Sequence, residues 1–255
     1  MVETRLAPSP HFFLGWCRSH SPFLMDFSHF TAISFDCYGT LIDWEAGILP
    51  TLRALIKSHG RSLSDTALLE LYGEFEAEAE SGPYQSYRKV MESVIQQLGE
   101  QMGFRPSPGE IRSLHESVPA WLPFSDTVPA LQQLEKRYKL VVISNIDDDL
   151  FTQTRKHLGV PFDCVITAQR ACSYKPSPNN FRLALQTMGI PPDQLLHVGQ
   201  SVYHDVIPAQ LLGIQTVWVN RRSARPGVGA VRAASGRPDL EVSDLATLAA
   251  LAMKG

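Results

Sequence analysis

Five short, almost unbroken apolar runs constrain this chain more than any other feature. They are TAISFDCYG (31–39), KLVVISN (139–145), FDCVITAQ (162–169), LLHVGQS (195–201) and QTVWVN (215–220). A strand with one wet face alternates apolar and polar residues; these runs do not, so they read as strands buried on both faces. Such strands need helices above and below them. Segments with helical spacing lie between the runs: DTVPALQQLEKRY, DDDLFTQTRKHLG, NNFRLALQTMG and HDVIPAQLLG, the last three closing on a Gly that suits a helix C-terminus. Strand and helix in alternation predict an α/β fold, a doubly wound, Rossmann-like parallel sheet.

One interval breaks the alternation. Residues 46–123 carry helical patterning in AGILPTLRALIKSHG, SDTALLELYGEFEAEAESG and YQSYRKVMESVIQQLGEQMG, and Ser107-Pro108-Gly109-Glu110 reads as a capping box with Pro at the first helical position. An all-helical module inserted after the first strand reads as a cap able to close over the carboxyl edge of the sheet. The core is then built from residues 26–45 and 124–255, and residues 1–25 read as an N-terminal extension. The apolar run at 11–17 is interrupted by Gly15 and makes a poor signal peptide. No run reaches the length of a spanning helix, so a cytoplasmic protein is expected.

Lys and Arg number 23 against 26 Asp and Glu, a formal net charge of -3 that offers no long-range attraction to nucleic acid or anionic lipid. The arginine-rich stretch 221–239 lacks interleaved aromatics and reads as a solvated loop. Cys17, Cys37, Cys164 and Cys172 form no CxxC pair, which excludes a zinc ribbon and a thioredoxin motif and leaves buried reduced thiols as the reading. A small-molecule partner is what remains, with neither nucleic acid nor membrane, and with a homodimer left open.

Polar stations stand at the carboxyl ends of four runs: Asp36, the pair Ser144-Asn145, Lys175 in SYKPSPNNF, and Asp205 in VGQSVYHDV. In a parallel sheet these ends converge on one crevice. A carboxylate nucleophile, a hydroxyl and helix-start N–H groups for an anionic substrate, and a lysine to orient and offset charge make one chemical set.

FDCYGTLIDWE, ISNID, YKPSPNNF and HVGQSVYHDV, in this order and with a helical insertion in the first gap, resemble the haloacid dehalogenase superfamily. Its phosphatases carry a second Asp two residues after the nucleophile. This chain has Tyr38 there and Gln200 in place of the first carboxylate of the acidic motif, so magnesium is the less favoured alternative to a site with no metal or cofactor. The DxYGTL signature is similar to the (S)-2-haloacid dehalogenase branch. That resemblance implies Asp36, Lys175, Asp205 and Thr40 as catalytic residues, with Asp36 displacing a halide from C2 of a 2-haloacid and water opening the resulting ester.

Three departures from the branch stand out. The stretch LLELYGEFEAEAE has no Arg or Lys where the dehalogenases keep a halide-holding Arg early in the cap, Phe181 replaces a Tyr, and GQSVYHD has one residue more than the usual acidic motif. DCYGTLIDWE, SNID, SYKPSPNNF and S-x-Y-H-D together look closer to azetidine-2-carboxylate hydrolase, which opens a strained ring instead of expelling halide. The substrate-binding candidates are Tyr38, Ser144, Asn145, Ser201, Tyr203, His204 and Glu45, for a small carboxylic acid. A phosphatase with altered ligands, or a non-catalytic binding module on the same fold, are the alternatives of a different class.

Overall fold

Within each apolar run, neighbouring residues point to opposite sides of a sheet, and both sides are covered. Ile33 and Phe35 of strand β1 (Ala32–Phe35) and Leu140 and Val142 of β2 (Lys139–Ser144) join one apolar cluster; Ala32, Val141 and Ile143 join another on the reverse face. This two-sided burial explains why the runs lack alternation. The computed structural model describes residues 25–221, 229–230 and 234–254. The other strands are β3 (Cys164–Thr167), β4 (Leu195–Gly199), β5 (Gln215–Val219) and β6 (Leu240–Val242), and all six are parallel in the order β3-β2-β1-β4-β5-β6. The order reverses beside β1, which opens a crevice at the carboxyl ends of β1, β2 and β4.

Four helices, α1 (Trp44–Ser58), α2 (Asp65–Glu80), α3 (Tyr87–Met102) and α4 (Pro108–Ser117), separate β1 from β2. Helix α2 packs on α3, α3 on α4 and α4 on α1. Their buried side chains, among them Ile48, Leu68, Met91 and Leu114, belong to the same apolar cluster as one face of the sheet. Ser107 and Glu110 form the reciprocal capping box at the start of α4. Helix α3 starts differently: Ser86 makes no side-chain cap bond. Its first N–H groups, those of Tyr87 and Arg88, donate instead to the two oxygens of Asp147 beyond β2, at 2.9 and 3.0 Å. A core carboxylate at a helix N-terminus thus ties the insertion to the sheet.

The remaining helices are α5 (Thr127–Leu134), α6 (Asp148–Thr154), α7 (Ala168–Ala171), α8 (Asn179–Met188), α9 (Ile207–Gln210) and α10 (Leu245–Ala252). Three local readings are corrected. The run 162–169 ends as a strand at Thr167, whose hydroxyl accepts the Arg170 N–H and starts α7. HDVIPAQLLG is not one helix, for a π turn over Val202–Val206 precedes α9. A π turn holds an extra residue, and it falls in the motif that has one residue more than usual. Strand β6 escaped notice because three residues, with Glu241 exposed, carry no period to read. Cys37 and Cys164 are buried, as expected, but Cys172 is exposed at the left-handed end of α7, and Cys17 lies outside the described residues. The N-terminal extension and much of the 221–239 loop also lie outside them. Among the described residues no helix is long and apolar enough to cross a membrane.

Candidate active site

Asp36 follows β1 directly and takes its place from backbone and side-chain bonds alike. Its N–H donates to the Val198 carbonyl of β4 at 2.9 Å, its Oδ2 accepts from the Thr40 hydroxyl at 2.8 Å, and its Oδ1 accepts from Lys175 Nζ at 2.9 Å. The turn to Thr40 passes through Gly39 at φ +94°, where a Cβ would also crowd Gln200 and Trp44. Thr40 Oγ1 in turn accepts the Gln200 N–H at 2.9 Å, which joins the β1 and β4 loops.

Lys175 is 1% exposed and lies between two carboxylates. Its Nζ donates to Asp36, to Asp205 Oδ1 at 2.6 Å and to the Ile143 carbonyl at 2.9 Å, so all three protons are used. Burial alone would push this ammonium down, but Asp205 and Asp36 outweigh it and hold it above the usual lysine range. Asp205 sits at the π turn, close under Gly199, where any Cβ would fall 2.4 Å from its carboxylate. Burial works against its charge, yet Lys175 and His197 overcome that and keep the carboxyl low. Burial pushes the Asp36 carboxyl up and the Asp205 charge adds to it, with Lys175 and Thr40 pulling the other way.

Asp36, Lys175 and Asp205 form the floor of a cavity of about 50 Å³ at the crevice. Ser144 and Asn145, Ser201 and His204, Tyr38, Trp44 and Gln200 also line it. The Ser144 hydroxyl is buried and has no partner among the described residues. Asn145 is a clamp as well as a lining residue: its Oδ1 accepts the Lys175 N–H at 2.7 Å and its Nδ2 donates to the Lys175 carbonyl at 3.1 Å. Ser201 Oγ accepts the His204 N–H and meets that ring's Nδ1 at 3.2 Å. Tyr38 turns its hydroxyl to Thr154 at 2.7 Å, and burial holds the phenol well above its usual range.

Three candidates do not line the cavity: Thr40, fully buried and bonded to Asp36, and with it Tyr203 and Glu45. Tyr203 stands edge-on against the His204 ring. Glu45 is buried in α1, where its Oε1 accepts the Ala230 N–H at 3.2 Å and so anchors the loop after β5, whose Ala230 does reach the cavity wall.

The roof, made by α2 and α3, holds residues that no motif pointed to. Glu76 and Glu80 of α2 and Tyr87 of α3 line the cavity. Glu76 Oε1 accepts from Tyr72 at 2.8 Å and also from Tyr87, and the two phenols meet at 3.0 Å. Glu80 Oε2 accepts from Asn145 at 3.3 Å. Burial pushes Glu76 up to about 7 and Glu80 well above its usual value. Their spacing of four on one helix, in a stretch without Arg or Lys, was the available signal. His197 on β4 was also missed; its Nε2 lies 3.3 Å from Asp205 Oδ1 and its Nδ1 2.9 Å from Ser34 Oγ.

The donor set does not fit a magnesium ion. Hard cations need several free oxygens, whereas Asp36 and Asp205 each give an oxygen to the Lys175 ammonium, Tyr38 faces Thr154, and Gln200 brings no charge. Among the described residues, no group of three or more His, Cys, Asp or Glu is arranged to hold a metal.

Fold and site together define a parallel α/β protein with a buried Asp-Lys-Asp cluster at the sheet's carboxyl edge beneath inserted helices. Comparison with known proteins carries this to a family. The family model of haloacid dehalogenase-like hydrolases matches residues 30–213, and the chain belongs to that family. It is 27% identical over 195 residues to (S)-2-haloacid dehalogenase H-109 of Pseudomonas putida, covering 75% of this chain and 86% of the relative. It is 26% identical over 196 residues to haloacetate dehalogenase H-2 of Moraxella sp. (strain B), covering 74% and 85%. The L-2-haloacid dehalogenase structure from Xanthobacter autotrophicus shares the fold, with TM-score 0.74, 22% identity and coverage of 89% and 99%.

Proposed function

We propose that the chain is a hydrolase in which Asp36 attacks C2 of a small 2-substituted carboxylic acid, the reaction type of the 2-haloacid dehalogenases to which it is similar. One observation carries the reading. Asp36 stands on the cavity floor with one oxygen held by Lys175 and the other by Thr40, so the nucleophile is oriented and its charge offset. In the first step an Asp36 oxygen bonds to C2 while the leaving group departs with the electron pair of its bond. In the second, water adds to the Asp36 carbonyl beside Lys175 and Asp205, and the hydroxy acid is released. The unpartnered Ser144 hydroxyl is suited to hold the substrate carboxylate.

A second reading is ring opening of azetidine-2-carboxylate. A specific observation favours it: apart from Lys175, already bonded three ways, the described lining holds no Lys or Arg for a departing halide. An amine tethered to the product needs none.

The test measures halide from (S)-2-chloropropionate, ring-opened acid from azetidine-2-carboxylate and phosphate from a phosphate monoester. Wild type is expected to release halide or ring-opened acid, and Asp36→Asn to lose that activity by about 10⁴-fold or more. Phosphate release alone, or turnover that survives Asp36→Asn, would sink the proposal.

A further inference from the structure

Four carboxyl groups face this cavity, Asp36 and Asp205 from the floor and Glu76 and Glu80 from the roof, against the single ammonium of Lys175 among the described lining residues. Carboxylates removed from water are costly unless a cation or hydrogen bonds compensate them. The floor pair has Lys175. The roof pair has phenols and an amide, which supply hydrogen bonds and no charge. Both phenols bind Glu76 through Oε1 and Asn145 binds Glu80 through Oε2, which leaves the other oxygen of each carboxyl with no bond from the described residues. Those two oxygens belong to residues one helical turn apart on α2, which places them on one face.

We propose that Glu76 and Glu80 form an ammonium-binding subsite that sets specificity, so that the preferred substrates are zwitterions carrying a protonated amine on C2 rather than simple 2-substituted anions. A second feature of the same cavity points to such a ligand. Ser144 is 1% exposed and its buried Oγ has no partner among the described residues. A carboxylate on Ser144 and an ammonium on the roof carboxyls would satisfy both ends of the cavity at once. A simple anion would bring further negative charge to a site whose described lining holds four carboxyl groups and one cation.

The chemistry balances. When Asp36 attacks C2 of a ring ammonium, the C–N bond breaks, its electron pair stays on nitrogen, and the product is a neutral primary amine. No proton from the enzyme is needed for departure. Tyr72 and Tyr87 act as positioning residues, since their hydroxyls hold Glu76. The subsite rests on the Asp36 reading only for which carbon reacts; binding of the amine is a separate property.

The experiment is calorimetric titration of the Asp36→Asn protein at pH 8 with azetidine-2-carboxylate and with cyclobutanecarboxylate, which has the same ring with CH2 in place of NH2⁺. The amine is expected to bind about tenfold tighter or more, the range of a hydrogen bond to a charged group. Adding Glu76→Gln and Glu80→Gln is expected to bring the two ligands together. Equal affinity before those changes, or an amine preference that survives both, would overturn the proposal. Should any variant fail to fold by circular dichroism, wild type titrated with L-proline and cyclopentanecarboxylate makes the same comparison with unstrained ligands. An Asp36 ester formed without amine preference would remove the subsite and leave the reaction; amine preference without an ester would do the reverse.

Discussion

On the floor of the cavity one ammonium is gripped by two carboxylates from different strand ends; on the roof two carboxyls share one helix with no cation between them. The floor is fixed by the sheet. Asp36 bonds to β4, Asn145 clamps the Lys175 backbone, and Gly199 clears the space that Asp205 fills. The roof is held by side chains on α2 and α3, with Asp147 at the start of α3 and Asn145 on Glu80 among its links to the core. The difference separates two tasks. In the proposed reaction a rigid floor suits forming and opening an ester, while a roof carried on an inserted helix could change what leaves without disturbing Asp36.

The largest effect should come from breaking the floor. Lys175→Met leaves Asp36 and Asp205 buried without their cation, and removal of one partner from such a group costs about 3–5 kcal/mol of stability. Thermal unfolding and turnover measured together should show both a large loss of melting temperature and loss of activity. A variant that keeps wild-type stability would show that the floor is not held by this ion pair.

Ser144→Ala should act on binding alone. Because the hydroxyl has no partner among the described residues, its loss should leave unfolding nearly unchanged, yet KM for the substrate carboxylate should rise about tenfold. A drop in stability with an unchanged KM would mean that Ser144 serves the fold.

The roof should give the smallest effect, visible in pH dependence. Burial raises Glu76 from 4.5 to about 7 in the folded protein, with the Tyr72 and Tyr87 hydroxyls pulling it back. A group that binds its proton more tightly when folded stabilises fully below its unfolded value and loses that contribution as pH rises through its folded one. Stability should therefore fall as pH climbs from about 4.5 to about 7, and Glu76→Gln should flatten that stretch of the curve. An unchanged curve in the variant would show that Glu76 does not titrate there.

The floor was legible in the sequence because a parallel sheet delivers the carboxyl ends of its strands to one line. Asp36, Ser144, Asn145, Lys175 and Asp205 could be gathered without knowing any distance, and the order of the motifs supplied the inserted helices. The roof was not legible in the same way. Glu76 and Glu80 look like ordinary members of an acidic helix, and only the packing of α2 against α3 decides which of its acids turn inward. Glu45 shows the reverse problem: it lies close to the motif in sequence, yet α1 carries it away to hold Ala230. His197 was hidden by its setting, since a polar residue in a buried strand is noticed only when its partners, Asp205 and Ser34, are known.

The central claim is that Asp36 becomes the ester, and heavy-oxygen water tests it most directly. Enzyme in excess is turned over once with (S)-2-chloropropionate or azetidine-2-carboxylate, digested, and weighed peptide by peptide. If water opens an ester at the Asp36 carbonyl, the heavy oxygen appears in the peptide containing Asp36 and the first product carries none. Label found in the first product and absent from Asp36 would contradict the account.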